Sequence, residues 1–392
     1  MVARPQWEVA DIVRDHAPAW RRERLLNLRQ LKALSAIERC RSSEMGGHVI
    51  RCEHCHDDQI AYNSCRNRHC PKCQGSAAKR WLENRQSELL EVPYYHVVFT
   101  MPAIVARIAY QNPRLIYNLL FAATAQTLLR IAADPKHLGV KIGFTAVLHT
   151  WGSALTHHPH LHCVVPGGGL TPQGQWKPCK PGFFLPVRVL SRLFRRVFLE
   201  KLVASHSKLS FYGEIAHLSD INAFRSYLTP AYKVDWVVYA KKPFAGPPAV
   251  LEYLSRYTHR VAISNRRITQ YDTDNVTFKY KDYRAKGKQR FKTMTLTANE
   301  FLRRFLIHIL PLRFHRIRHF GLFANHQRKQ NLWLLRKILC TKSLVTIDKP
   351  TGSDEASKTS NKPVPTFHCR ACGNSMIVIE TLLQYCPTRG PP

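Results

Sequence analysis

The 392-residue sequence predicts an α+β fold. Three observations carry that prediction. Short runs of β-branched and aromatic residues recur between longer amphipathic stretches. Some of these runs face one another across turn-forming residues, which argues for hairpins. The apolar fraction, 45%, is enough to bury a core of ordinary size. The length exceeds one ordinary domain and predicts two or three.

Residues 7–45 read as helical, because Leu25, Leu26, Leu28, Leu31 and Leu34 recur near helical spacing among Arg, Gln and Glu. Residues 48–75 crowd cysteines and histidines together and read as a metal module. A second helical pattern runs from Ser76 to Leu90. Tyr94–Met101 changes character: Tyr94-Tyr95-His96-Val97-Val98-Phe99-Thr100 has the composition of a buried strand. Residues 113–133 return to a helix. Lys141–Thr150 and Leu161–Val165 are two further strands with a His-Pro turn between them. Residues 190–205 form a basic amphipathic helix, and Tyr232–Ala240 is another strand. Pro247-Pro248 opens a helix that carries Tyr253 and Tyr257, since proline suits a first helical turn. Val261–Tyr271 and Val276–Tyr283 then make a hairpin across Asp272-Thr273-Asp274-Asn275. Residues 342–365, rich in Thr, Ser, Lys, Asp and Pro, read as a linker.

The domain reading follows. Residues 1–92 are a helical and zinc-binding part that contacts DNA, and 93–335 are a catalytic part. Residues 342–365 link it to a small tail, 366–392, with a zinc-binding candidate of its own.

Charge narrows the function. Lys plus Arg number 59 against 26 Asp plus Glu, a net +33. Such a chain repels itself unless an anionic partner neutralises it, and a phosphate backbone, which releases counterions on contact, is the usual partner. A merely soluble basic surface, or one resting on anionic lipid, is the blander alternative. No stretch approaches the roughly 18 apolar residues of a membrane span, and Met1-Val2-Ala3-Arg4-Pro5 leads into Trp7, Glu8 and Asp11 rather than an apolar signal core. A cytoplasmic location is the expectation. The 12 cysteines therefore read as metal ligands or free thiols, not as disulfides.

Cys52-Glu53-His54-Cys55 and Cys70-Pro71-Lys72-Cys73 are two CxxC knuckles with 14 residues between them. Thiolates at that spacing can converge on one tetrahedral ion, so Cys52, Cys55, Cys70 and Cys73 are the expected structural zinc site. Cys65, His69, His48 and His54 lie close enough in sequence to bind a second ion or replace one of the four. In the tail, Cys369, Cys372 and Cys386 offer three ligands and His368 a fourth. Arg66 and Arg68, among other basic residues of the module, are expected DNA contacts.

His157-His158-Pro159-His160-Leu161-His162 leads into Cys163-Val164-Val165 and then Gly167-Gly168-Gly169. On a strand alternate side chains share a face, so His160 and His162 point the same way while Leu161 faces the core. Two imidazoles on one face make half of a metal site and leave positions open for substrate oxygens and water. Alone, the pair also suits ordinary surface histidines. His149, at the end of the preceding strand, is the favoured third ligand, with His158 a second candidate.

Tyr253 and Tyr257, four apart on a helix, share one side of it. Their bland reading is an aromatic core stripe. The surroundings argue otherwise: Arg256, Arg260, Arg266 and Arg267 follow at once, then a hairpin with Lys279, Lys281, Arg284, Lys286 and Lys288. Residues 301–337 hold nine Lys or Arg and no acid. A tyrosine that attacks phosphate needs such cations, because a phenol of pKa about 10 is on the order of 0.1% ionised at neutral pH. Arg256, Arg260, Arg266, Arg267 and Lys281 are the expected DNA contacts of this part.

Four segments together resemble one family. They are Ser64-Cys65-Arg66-Asn67-Arg68-His69-Cys70-Pro71-Lys72-Cys73-Gln74, His96-Val97-Val98-Phe99-Thr100-Met101-Pro102, His158-Pro159-His160-Leu161-His162-Cys163, and Tyr253-Leu254-Ser255-Arg256-Tyr257-Thr258-His259-Arg260-Val261-Ala262-Ile263-Ser264-Asn265. Their order and spacing are similar to the two-tyrosine rolling-circle insertion-sequence transposases of the HUH endonuclease superfamily. The resemblance spans about residues 48–265 and continues to roughly 330. It implies a five-stranded antiparallel sheet flanked by helices. It further implies Mg²⁺ or Mn²⁺ on His160 and His162, with Leu161 the bulky residue between them. Tyr253 and Tyr257 would be nucleophiles that form 5′-phosphotyrosine links while cutting and rejoining single-stranded DNA at element ends. The link would conserve the phosphodiester's free energy, in keeping with the lack of a G-x-x-x-x-G-K-[ST] motif. A plasmid replication initiator or relaxase of the same superfamily is an alternative, as is a non-catalytic zinc-containing regulator that binds nucleic acid.

Overall fold

The computed structural model describes residues 5–23, 26–86, 88–241, 261–282, 285, 287–340 and 367–384. In chain order the elements are α1 (Val9–Glu23), α2 (Leu28–Arg39), β1 (Gly47–Cys52), β2 (Asp58–Tyr62), α3 (Gln74–Gln86), β3 (Tyr94–Thr100), α4 (Ala103–Gln111) and α5 (Pro113–Ala133). There follow β4 (Gly143–Trp151), β5 (His157–Pro166), β6 (Gly168–Leu170), β7 (Trp176–Pro178), α6 (Val187–Ala204), α7 (Ile221–Lys233) and β8 (Val238–Lys241). The chain continues with β9 (Ile268–Tyr271), β10 (Asn275–Lys281), β11 (Phe291–Thr297), α8 (Ala298–Leu306), β12 (Ile317–Gly321), α9 (Arg328–Cys340), β13 (Phe367–His368) and β14 (Ser375–Leu382).

The fold is α+β, and its centre is a five-stranded sheet in the order β12-β4-β5-β3-β8. Every pairing in it is antiparallel. Strand alternation gives the sheet two unlike faces. One carries Val97, Phe99, Ala146, Leu148, Leu161, Cys163 and Val165, all buried in the principal core with residues of α5 and α6 such as Phe121, Phe194 and Phe198. Phe99 meets Phe194 edge-on at 5.0 Å. The other face carries His96, Val98, His160, His162 and His149. The apolar residues at 97, 99, 161 and 163, alternating with histidines at 96, 160 and 162, therefore mark which face buries.

Several elements depart from the sequence reading: the strand expected at Val261–Tyr271 is only Ile268–Tyr271, and the His-Pro expected as a turn lies within β5. The strand expected at Tyr232–Ala240 starts only at Val238, because α7 runs on to Lys233 after a strong start: Asp220 caps it by accepting from the amides of Asn222 and Ala223. The edge strand β12 was not foreseen within its basic stretch. It pairs with β4 so that Phe320 lies opposite Phe144, and the two rings stack at 5.1 Å. Gly321 ends it at φ +60°, where a Cβ would sit 2.0 Å from the Ile142 carbonyl oxygen. Glycine is required there.

Among the described residues one helix, α5, is long and apolar enough to cross a membrane, against the expectation that no stretch would come close. Its composition is that of a core helix: Ile116, Tyr117, Leu120, Phe121, Leu128 and Ile131 are buried in the principal core.

The N-terminal helices pack against later parts of the chain. Val9, Ile12, Val13, Trp20, Leu34 and Ile37 from α1 and α2 share a second core with Ile268, Val276, Phe278, Phe301 and Phe305. Trp20 donates to Asn299 (2.7 Å), the Val9 amide to Asn265 (3.1 Å), and the Tyr271 hydroxyl to Asp15 (2.6 Å). The N-terminal helices thus pack on the β9–β10 hairpin, which itself turns over Asp272–Asn275 as the sequence predicts. The tail also pairs with the N-terminal part. β14 adds to β1, which pairs on its other side with β2, giving a sheet of order β13-β14-β1-β2.

Candidate metal centre and cysteine clusters

Register brings the histidines together. On the polar face His149 of β4 lies directly opposite His160 of β5, and His162 lies opposite Val147. One ring nitrogen from each of His149, His160 and His162 falls within 4.8 Å of the others. The Nε2 atoms of His160 and His162 are 3.0 Å apart. His149 is held by stacking on Trp151, with ring centroids 4.7 Å apart. His149 and His162 are buried, 3% and 7% exposed, whereas His160 is only partly covered, so the group opens on one side. His158, the other candidate, is not in this group.

Protonation follows from the partners. The His160 Nδ1 faces the His158 carbonyl oxygen at 2.6 Å. A carbonyl only accepts, so Nδ1 carries the proton and Nε2 presents its lone pair. Burial pushes the His160 imidazolium down to about 4, so the ring is neutral at pH 7. His96 of β3 bonds the far side of His162, Nε2 to Nδ1 at 2.8 Å, with the rings stacked at 5.0 Å. Burial, helped by the Lys241 charge, lowers His96 to about 4 as well. This is the outer-shell arrangement that fixes the tautomer of a ligating histidine. Three imidazoles converging on a partly covered sheet face are chemically able to hold a divalent ion. His96 was legible only as part of a strand; its role needed the register Val98↔His162.

The cysteines sort differently from the sequence expectation. Cys52, Cys55, Cys70 and Cys73 do not converge. They divide between two clusters, Cys40–Cys65–Cys70–Cys73 and Cys52–Cys55–Cys369–Cys372. In the first, Sγ of Cys73 lies 3.5 Å from that of Cys40 and 3.6 Å from that of Cys65. Cys40 comes from the end of α2, outside any CxxC pattern. His69 is not a ligand candidate here: its Nε2 accepts from the Leu310 amide at 3.3 Å, and burial pushes its imidazolium down to about 3. His48, His54 and His368 belong to neither cluster, and Cys386 lies outside the described residues.

The arginines also divide. Arg68 is spent on the chain's own backbone, donating to the carbonyls of Phe314 (2.5 Å) and Pro311 (2.8 Å). Arg267 bonds the carbonyls of Lys279 (2.8 Å), Ala262 and Ser153. These two tie segments of the chain together. Arg66 and Arg266 are exposed, while Lys281 sits with its Nζ 5.6 Å from the centre of the Phe291 ring. Tyr253, Tyr257, Arg256 and Arg260 lie outside the described residues. The described chain on either side of them is anchored near the histidines. Lys241 ends β8, two strands from β5. Ala262 and Ile263 pack in a cluster with Trp151 and Leu155, at the β4–β5 turn.

A cleft of about 640 Å³ beside the start of β5 was not foreseen. It carries Arg107, Tyr110, His157, Tyr212 and Arg303, and the rings of Tyr110 and Tyr212 are more than half exposed.

A chain with this antiparallel sheet, histidine face and cysteine-rich N-terminal part is of the DNA-acting transposase type, and comparison with known proteins agrees. Residues 143–331 match a family described as "Putative transposase", and residues 12–101 match one described as "Transposase zinc-binding domain". A "Putative transposase y4qJ" of Sinorhizobium fredii is 56% identical over 342 residues, covering 86% of this chain and 85% of that protein. The "Transposase for insertion sequence element IS801" of Pseudomonas savastanoi pv. phaseolicola is 28% identical over 353 residues, 89% of this chain and 83% of that one. The chain belongs to the IS91/IS801 family of insertion-sequence transposases with an N-terminal zinc-binding domain.

Proposed function

We propose that this transposase cuts and rejoins single-stranded DNA at the ends of an insertion sequence by HUH-type chemistry, with Tyr253 and Tyr257 as nucleophiles and a divalent ion on His149, His160 and His162. The observation that carries the reading is the convergence of three histidine ring nitrogens on the polar sheet face. A bound ion would polarise a scissile phosphate and neutralise its charge. The donor set fits Mn²⁺ better than Mg²⁺, because all three ligands are imidazoles and Mg²⁺ prefers oxygen.

The chain's own residues do the rest. A phenol attacks phosphorus in line; the bond to the 3′ oxygen breaks, leaving a 3′-hydroxyl and a 5′-phosphotyrosine. The phenol's proton leaves to solvent, and the 3′ oxygen takes one up. Two tyrosines permit two strands to be held in turn, and reversal of the step rejoins them without ATP. Support for the tyrosines comes from the anchoring of the described chain before and after them: Lys241 ends β8, two strands from β5, and Ala262 and Ile263 share a cluster with Trp151 and Leu155. Support for single strands comes from the cleft, since exposed rings beside arginines suit unstacked bases. Arg66, Arg266 and Lys281 would add backbone contacts, and a zinc ion on Cys40, Cys65, Cys70 and Cys73 would fix α2 to the N-terminus of α3.

The test is cleavage of labelled oligonucleotides carrying an element end. Cutting is expected on the single strand, not the duplex, only with added metal, and at lower Mn²⁺ than Mg²⁺. Metal-independent cutting, or a preference for duplex, would refute the proposal.

His96 is assigned a positioning role. His96→Ala should raise the Mn²⁺ concentration for half-maximal cleavage about 10–100-fold, with the rate at saturating metal much less affected. His96→Gln, whose side-chain oxygen can still accept from the His162 Nδ1–H, should recover part of the loss. An unchanged metal requirement in His96→Ala would remove it from the site.

A further inference from the structure

The family's zinc-binding domain ends near residue 101, and it contains only two ligands of the second cysteine cluster. The other two, Cys369 and Cys372, come from the far end of the chain. We propose that Cys52, Cys55, Cys369 and Cys372 bind a second structural zinc, which clasps the C-terminal tail onto the N-terminal module.

The geometry is that of two matched knuckles. In the first, the Cys52 amide donates to the Asp57 carbonyl (3.0 Å) and the His56 amide to the Cys52 carbonyl (3.1 Å). In the second, the Cys369 amide donates to the Asn374 carbonyl (2.8 Å) and the Gly373 amide to the Cys369 carbonyl (2.9 Å). The residue after the second cysteine takes positive φ in both, 56° at His56 and 79° at Gly373. Such a turn aims both sulfurs of a CxxC to one side. The knuckles then face each other, with Sγ of Cys52 3.4 Å from Cys372 and Sγ of Cys55 3.6 Å from Cys369. In the first knuckle the amides of His54 and Cys55 point at the Cys52 sulfur from 3.4 and 3.5 Å, as they do toward a thiolate.

Four thiols brought this close have no reason to stay together without an ion. As thiolates they repel, and the cluster has too small a core, Ile50, Met376 and the partly buried Phe367, to force them. A tetrahedral dication resolves the repulsion and satisfies all four sulfurs. Spacing argues against chance: each half is a complete CxxC, and the β1–β14 pairing, Arg51↔Ile377 and Cys52↔Met376, sets them in register.

The two zinc sites differ in access. Cys40, Cys70 and Cys73 are buried, whereas Cys55 and Cys372 are exposed. The clasp ion should therefore leave first.

Zinc content of the full chain, measured by mass spectrometry of the metal after purification, should be two ions per protein. Cys369→Ser with Cys372→Ser should hold one, and so should Cys52→Ser with Cys55→Ser. A chelator titration of the parent should show two release phases, and the faster should be missing from both variants. Native alkylation should label Cys52 and Cys55 at least about tenfold faster in the tail variant, which reports loss of the clasp even if the ion count is disturbed by misfolding elsewhere. One ion in the parent, unaffected by the tail variant, would overturn the clasp while leaving a zinc on Cys40, Cys65, Cys70 and Cys73 intact. Two ions in the tail variant would overturn it equally.

Discussion

Replacing both Tyr253 and Tyr257 by Phe should abolish cleavage of a single-stranded element end, by at least about 10³-fold, and with it any covalent protein–DNA product. The change removes one oxygen from each side chain and keeps its apolar bulk, so folding should persist. Affinity for DNA should persist too, because it rests on the net charge of +33 and not on two neutral phenols. Each single variant should keep some cleavage and lose complete strand transfer, since one phenol can hold only one strand. Electrophoretic mobility shift and denaturing gels on the same samples separate the two effects. A double variant that still cuts would leave the tyrosines with no part in the reaction.

His160→Ala with His162→Ala should also silence cutting. An ion that stabilises developing charge on a phosphate is worth several kcal/mol, and about 4 kcal/mol corresponds to roughly 10³-fold in rate. The variant removes two of the three proposed ligands, so no excess of Mn²⁺ should restore activity. Binding of the oligonucleotide should change little. His160 and His162 face away from the principal core, in which Leu161 and Cys163 are buried, so the sheet should survive. Rate against metal concentration, with circular dichroism as a check on folding, measures this. Undiminished cutting in the double variant would show that the histidine face is structural.

Much of this was legible from residue order alone. The β-branched and aromatic composition at Tyr94–Thr100 and Leu161–Val165 predicts the strands, and strand alternation predicts the shared face of His160 and His162. His149 followed from the same logic, one strand over, but only pairing could choose it above His158. The zinc ligands were misgrouped because two nearby CxxC knuckles look complete in sequence. Which sulfurs converge depends on the long-range pairing of β1 with β14 and on Cys40 at the end of a helix, and neither leaves a local signal. Arg68 and Arg267 show a further limit. A positive side chain in a basic stretch reads as a phosphate contact, yet both guanidiniums bind the chain's own carbonyls. β12 stayed hidden for a similar reason: Arg318 and His319 mask the strand pattern of Ile317 and Phe320.

The decisive measurement is the chemical identity of the reaction product. The protein is incubated with Mn²⁺ and a single-stranded end, trapped by denaturation and digested, and the nucleotide-bearing peptide is sequenced by mass spectrometry. A 5′-phosphoryl group on the phenol of Tyr253 or Tyr257, absent when His160 and His162 are changed, is the predicted result. Cleavage with no adduct, or an adduct on any other side chain, would contradict it.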